Sequence, residues 1–295
     1  MKTALVFPGQ GSQQVGMGKE LYDRYQARLD PFYQRANEAL DVDLKKLMFD
    51  GPLEQLTLTE NAQPAILLDS FIKYELIKDQ IKADFAAGHS LGEYSALVAA
   101  GVLSLEDGLR LVRQRGRYMQ EAVPPGQGAM VAILKLDMER LKAICTETGA
   151  EIANYNSPQQ IVISGERARV LKAKELAEAA GGKGIELEVS APFHCSLMRP
   201  AEERLRADIE AMPFHKPAFP VVATVSGRTE EDPSQIKRLL LQQITSPVRW
   251  MDYVLTLKAF GVTRLVEIGS GEVLTRLNRR IDSGLEALSF AEAFH

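Results

Sequence analysis

Two cysteines, Cys145 and Cys195, in 295 residues are too few to staple a fold, and no Cys/His cluster has the spacing of a zinc site. Both read as free thiols. No run reaches the roughly 18 uncharged apolar residues that a bilayer span needs, and the start from Met1 to Phe7 lacks the basic and long apolar regions of a secretory signal. The expectation is therefore a soluble, cytoplasmic protein with no membrane partner. Lysine and arginine (35) do not outnumber aspartate and glutamate (39), and the two signs are mixed along the chain. That leaves no basic stripe for a phosphate backbone, and nucleic acid is excluded as a partner. The glycine-rich segment Phe7-Pro8-Gly9-Gln10-Gly11-Ser12-Gln13 lacks G-x-G-x-x-G spacing, which argues against a dinucleotide cradle. There is no internal repeat and no low-complexity segment.

What is present is an ordinary globular composition, 45% hydrophobic and 25% charged, enough to bury a sizeable core. The apolar run Thr3 to Phe7, ending at Pro8-Gly9, predicts a buried parallel strand. Ala83 to Gly88 predicts a second strand, which turns sharply through Gly88-His89-Ser90-Leu91-Gly92 into a helix. Between Pro124 and Ser190 the order becomes β-α-β-β-α-β, with strands expected at Ala129–Leu134, Ile152–Tyr155, Gln160–Ser164 and Ile185–Val189. The intervening helices are expected at Asp137–Thr148 and Arg167–Ala180. That order is the ferredoxin-like motif. The larger pattern resumes with a strand at Val221–Val225, helices near Ser234–Ile244 and Met251–Phe260, a strand at Leu265–Ile268 and a last helix after Gly271. Alternating strands and helices imply an α/β fold with a mainly parallel sheet. The expected division is a large domain of residues 1–123 and 191–295, with residues 124–190 inserted as a small α+β domain.

Gly88-His89-Ser90-Leu91-Gly92 is a G-x-S-x-G nucleophile elbow in the strand-turn-helix context the motif requires. Its glycines let a strained turn close, so that the Ser90 hydroxyl stands at a helix N-terminus with the Leu91 N–H beside it for a developing oxyanion. The bland alternative is a serine N-cap between two glycines. A serine hydroxyl needs a base, and only four histidines are available. His89 is adjacent to Ser90 and should point to another face of the turn. His295 is the last residue, and His215 sits in a connector and reads as a surface residue. His194, in Ala191-Pro192-Phe193-His194 where the small unit hands back to the large one, remains as the base. Cys195 beside it reads as packing, and no acidic third member of a triad announces itself. Arg115 falls inside the apolar face of a helix over Leu105 to Ala122, with Arg110, Arg113 and Arg117 on the opposite side. A buried guanidinium must be paired, either by an internal carboxylate or by a ligand's. Gln10, between two glycines, reads either as a simple turn or as a donor near a reacting carbonyl.

With these residues in place, the sequence closely resembles the malonyl-CoA:acyl-carrier-protein transacylases of the acyltransferase family, over nearly its whole length. The matching pieces are Gly9-Gln10-Gly11-Ser12-Gln13, GHSLGEYSAL from Gly88 to Leu97, Gln114-Arg115-Gly116, Ala153-Asn154-Tyr155-Asn156-Ser157-Pro158, Phe193-His194, and Gln242-Gln243 before Ser246-Pro247-Val248. The resemblance implies a hydrolase-like α/β core with a ferredoxin-like insert. It makes Ser90 the acylated residue and His194 the base. Gln10 and the Leu91 N–H become the oxyanion hole, and the Gln243 carbonyl steadies the histidine. Arg115 becomes the clamp for the malonyl carboxylate, with Phe193, Asn156 and His89 also at the substrate. Phe193 resembles the malonyl-selecting form of related polyketide acyltransferases.

The implied reaction is ping-pong transfer of malonyl from malonyl-CoA to the phosphopantetheine thiol of an acyl carrier protein. Coenzyme A is then a substrate, and neither a metal nor a bound cofactor is expected. A monomer is expected. Arg276, Arg279 and Arg280 form one candidate cluster for an acidic carrier, against their reading as an ordinary solvated helix face. Three other readings stay open: an acyltransferase of a polyketide assembly line, a serine hydrolase of acyl thioesters, and a non-catalytic binding module.

Overall fold

A six-stranded sheet carries the chemistry on its carboxyl edge. In the computed structural model, which describes residues 1–189 and 191–294, β1 is Lys2–Phe7, β2 is Phe85–Gly88, β3 is Gly128–Leu134, β4 is Glu151–Ser157 and β5 is Gln160–Glu166. Further along, β6 is Lys183–Glu186, β7 is Val221–Val222, β8 is Thr229–Glu230, β9 is Val262–Glu267 and β10 is Glu286–Leu288. The large sheet has the order β10-β9-β1-β2-β7-β8. Every pairing is parallel except that of β7 with β8. β1 is fully buried from Thr3 to Phe7, which explains why it reads as an unbroken apolar run rather than an alternating one. Its register sets Phe7 against Gly88 of β2, so the Pro8 loop and the Ser90 turn leave the sheet side by side. Strand ends of this kind are where α/β sheets bind ligands.

The second sheet has the order β4-β5-β3-β6, antiparallel throughout. Helices Met138–Thr148 and Arg167–Ala179 bury Leu141, Ile144, Val170, Ala173 and Ala177 against its other face. This is the ferredoxin-like arrangement expected from the β-α-β-β-α-β order. Asp137 caps the first of these helices by accepting from the N–H groups of Glu139 and Arg140. The two sheets are tied by main chain: Tyr155 N donates to Val248 O at 2.8 Å, and Val248 N donates to Ala153 O at 2.8 Å.

Several expectations shift. The strand placed at Val221–Val225 ends after two residues, because Ala223 N turns back to Arg228 O and Gly227 N to Ala223 O. The strand expected at Ile185–Val189 is β6 and lies earlier, at Lys183–Glu186. The helix after Gly271 runs Val273–Ile281 and is not the last element, since β10 and the helix Phe290–Ala293 follow it. A helix over Arg199–Ala211 was not anticipated, although Ala201, Leu205 and Ile209 bury one face at four-residue spacing. Ser190, at the end of the expected insert, and His295 lie outside the described residues.

Candidate active site

The turn between β2 and the helix Leu91–Ala99 holds Ser90 at φ 54° and ψ −108°. A non-glycine residue rarely adopts this backbone, which costs on the order of 1–3 kcal/mol and persists only where the surroundings impose it. The glycines on either side show how tightly the surroundings do so. A Cβ on Gly88 would lie 1.9 Å from the Gly92 carbonyl carbon, and one on Gly92 would lie 2.0 Å from Phe7 O. Either substitution would push the turn off the sheet. Gly92 N and Glu93 N close the turn onto His89 O and Ser90 O, and the Leu91 N–H opens the helix next to the hydroxyl.

His194 reaches this hydroxyl from a segment 104 residues away, with Nε2 2.7 Å from Ser90 Oγ. It too has a left-handed backbone, φ 58°. Its Nδ1 lies 3.2 Å from Gln243 O and 3.0 Å from Ser246 O. Two carbonyl acceptors on one ring nitrogen require that nitrogen to carry the proton, so Nε2 is bare and Ser90 donates to it. Burial, with the nearby Arg115 charge adding to it, pushes the His194 pKa down to about 3. The imidazole is thus neutral at physiological pH, in the tautomer that accepts a proton from serine. The expected Gln243 carbonyl is present, and Ser246 O, part of a matching motif to which the sequence assigned no role, joins it.

Arg115 is fully buried on the inward face of the helix Leu105–Glu121, as its helical phase predicts, while Arg110 and Arg117 are exposed. Its Nη2 donates to Ser90 Oγ at 3.2 Å and to Gln243 Oε1 at 2.9 Å, and its Nη1 donates to Gln63 Oε1 at 2.9 Å. Its Nε has no hydrogen-bond partner. Among the described residues no carboxylate reaches Arg115 as a salt-bridge partner, so its three hydrogen-bond partners are all neutral, two amides and the Ser90 hydroxyl. Gln63 was missed by sequence reasoning. The available signal was polarity: Gln63, Asp69, Ser70 and Lys73 are buried on a helix, Thr59–Ile77, that is otherwise apolar on nearly every side, and buried polar groups need partners.

A cleft of about 600 Å³ opens over these groups, with Gln10, Asn156, Phe193, Arg276 and Arg280 among the residues lining it. Gln10 extends from the Pro8 loop and donates from Nε2 to Thr59 Oγ1 at 3.3 Å. His89 points away from Ser90, as expected, and pairs through Nε2 with Asn156 Oδ1 at 2.8 Å on the cleft wall. Cys195 is buried, with its thiol on Pro192 O and its pKa raised by burial, and His215 is exposed. Arg279 departs from the expected basic cluster, since its Nη2 is spent on Ala287 O and Glu292. A second cavity, about 430 Å³ beside Val123, Gln127 and Leu197, is lined by neither Ser90 nor His194.

A serine on a strained elbow, a neutral histidine on its hydroxyl and a helix N-terminus beside both are the parts of an enzyme that forms acyl-serine esters. The chain belongs to the acyl transferase family: the model of the acyl transferase domain matches residues 4–285. Among curated relatives, the malonyl CoA-acyl carrier protein transacylase of Bacillus subtilis (strain 168) is 47% identical over 99% of this chain and 94% of its own length. The protein of the same name from Escherichia coli (strain K12) is 42% identical over 98% and 96%. Among solved structures, the acyl carrier protein S-malonyltransferase of Vibrio cholerae superimposes with a TM-score of 0.94 at 42% identity, covering 98% of this chain and 96% of that one. A malonyl-transacylase in complex with its type II PKS acyl-carrier protein gives a TM-score of 0.96 at 39% identity, covering 100% and 99%.

Proposed function

We propose that this chain transfers a malonyl group from malonyl-CoA to the phosphopantetheine thiol of an acyl carrier protein through a malonyl-Ser90 ester, supplying extender units for fatty-acid synthesis. One observation carries the reading: Ser90 Oγ lies between His194 Nε2 at 2.7 Å and Arg115 Nη2 at 3.2 Å. Base and cation meet at the reacting atom.

In the first half-reaction Ser90 Oγ attacks the thioester carbonyl as its proton passes to His194 Nε2. The Leu91 N–H and Gln10 take the oxyanion, the C–S bond breaks, and His194 returns the proton to the departing coenzyme A sulfur. In the second, the carrier thiol gives its proton to His194 and attacks the Ser90 ester, and Ser90 recovers a proton as it leaves. The buried Arg115 holds the malonyl carboxylate, with Asn156, His89 and Phe193 on the cleft wall beside it. Binding that carboxylate also offsets the positive charge that helps to depress the His194 pKa, so the correct substrate strengthens its own base. A general esterase gains nothing from a cation at this position, which is why we favour transfer over hydrolysis.

The thioester supplies the activation and the chain supplies every other group, so no step calls for a metal or cofactor. We keep residues 124–190 as a separate small domain, on the ground that all four strands of the antiparallel sheet fall between Gly128 and Glu186. We place the protein in the cytoplasm on the strength of its two free, buried thiols. Among the described residues no helix is long and apolar enough to cross a membrane. The likeness to a transacylase seated on a PKS carrier supports a polyketide carrier as the second reading.

Intact-mass measurement after brief exposure to malonyl-CoA should reveal a malonyl adduct on Ser90. Holo-carrier from fatty-acid or polyketide synthesis should then discharge it, and the faster acceptor decides between the two pathways. An adduct lost to water as quickly as to either carrier would make the protein a hydrolase.

A further inference from the structure

Glu93 lies three residues after Ser90, in the first turn of the helix Leu91–Ala99, and is only 2% exposed, yet the transfer reaction gives it no task. Its two oxygens face N–H donors: Oε1 accepts from Thr224 N at 3.2 Å, and Oε2 accepts from Gln243 Nε2 at 2.7 Å. Burial pushes the Glu93 pKa up, against the pull of these donors and of the Arg115 charge. Both contacts are donors to the carboxylate, and they favour its ionised form against that burial.

That preference propagates. The Gln243 amide nitrogen has two hydrogens, and it spends them on Glu93 Oε2 and on Ser90 O at 2.9 Å. Its oxygen is left to face Arg115 Nη2. A flipped amide would set its oxygen against a carboxylate and a carbonyl, and its NH₂ against a guanidinium, so the alternative orientation is excluded by every neighbour at once. We propose that Glu93 is a positioning residue for acyl-group selection: through the Gln243 amide it holds Arg115 in register with Ser90, while the amide between them keeps the guanidinium free of any direct carboxylate partner. A carboxylate in contact with Arg115 would compete with the substrate's own. One removed from it by a neutral amide balances the buried charge and leaves the guanidinium available. The proposal rests on the malonyl-transfer reading above.

The test is a double-mutant cycle of Glu93→Gln and Gln243→Met, read as the malonyl-CoA to acetyl-CoA ratio of kcat/KM for acylation of Ser90, with Tm recorded for each protein. Glu93→Gln keeps the size of the side chain but turns one acceptor into a donor. Gln243→Met removes the amide and keeps the backbone carbonyl that His194 uses. Each single substitution should lower the ratio by about tenfold, the loss of one well-placed charge-assisted contact. The double substitution should lower it no further than either alone. Losses that multiply in the double variant, or equal losses with both donors in Glu93→Gln, would overturn the proposal and leave Glu93 a packing residue. If the Glu93→Gln protein does not fold, Gln243→Met alone decides, because an unchanged ratio there removes the link that Glu93 acts through. A wild-type enzyme without malonyl preference would instead refute the transfer reading itself, so the two failures are distinguishable.

Discussion

Arg115 Nη2 donates to Ser90 Oγ at 3.2 Å, so the side chain proposed to read the acyl group also touches the atom proposed to be acylated. Selection and chemistry share one hydrogen bond, which makes Arg115 the most informative residue to change. A charge-assisted pair contributes roughly 1.5–3 kcal/mol, so Arg115→Ala should reduce malonyl transfer at least tenfold. Acetyl-CoA brings no carboxylate, and acylation from it should fall much less or rise as the buried cation disappears. Arg115→Lys should stay poor, because a compact ammonium cannot reproduce the planar fork that spans Gln63, Gln243 and a carboxylate. Equal loss with both donors in a protein of lowered Tm would make Arg115 a structural residue.

Ser90→Ala should leave the fold intact and abolish the acyl-enzyme. Intact mass after malonyl-CoA exposure is the measurement, and an adduct that persists in the alanine protein moves the nucleophile elsewhere. Circular dichroism checks the fold, which should be unchanged because the strained backbone at residue 90 is imposed by Gly88 and Gly92 rather than by the hydroxyl.

The state of His194 sets two expectations. His194→Ala should slow acylation by about 10² or more, the usual effect of losing a general base. Since its pKa is pushed down to about 3, from about 6.5 in an unfolded chain, the folded protein binds fewer protons than the unfolded one between those values. Its contribution to stability is therefore whole above about pH 6.5 and lost progressively as pH falls toward 3. Urea unfolding of wild type and His194→Gln at pH 7 and pH 4.5 should show a smaller acid penalty in the variant. An identical penalty would mean that the imidazole protonates freely in the fold.

Arg276, which pairs with Glu272 at 3.3 Å one turn earlier, and Arg280 line the cleft, whereas Arg279 is turned to Glu292 and Ala287. Charge reversal at Arg276 or Arg280 should raise the KM for an acidic carrier several-fold and weaken its salt dependence. The same change at Arg279 should act mainly through stability. Transfer from the preformed malonyl-enzyme isolates the carrier step, and unchanged kinetics there would return Arg276 and Arg280 to an ordinary solvated face.

What could be read from the sequence was whatever depends on local pattern. The Gly88 to Gly92 elbow is legible because two glycines and a serine at fixed spacing leave few other conformations, and Arg115 is legible because helical phase places one charge among apolar neighbours. His194 emerged by elimination. Gln63, Ser246 and the Gln243 side chain did not emerge, since a neutral amide or a backbone carbonyl has no periodic signature and acquires its role only when distant segments meet. The site's partners of Ser90 come from 25, 104 and 153 residues away. β10 escaped for a different reason, because three residues are too few to carry an alternation. The helix Arg199–Ala211 does carry a local signal, Ala201, Leu205 and Ile209 at four-residue spacing.

The main-chain bonds between β4 and Val248 give the antiparallel sheet a hold on the segment that supplies both carbonyls to His194. Val248 is two residues from Ser246, and Asn156, the partner of His89, lies one residue beyond Tyr155 on the same strand. A rocking motion of the small sheet over the cleft would therefore be felt at the imidazole as a change of aim, and at the cleft wall as a change of width, in a single movement. One strand thus anchors both the segment that aims the imidazole and part of the cleft wall.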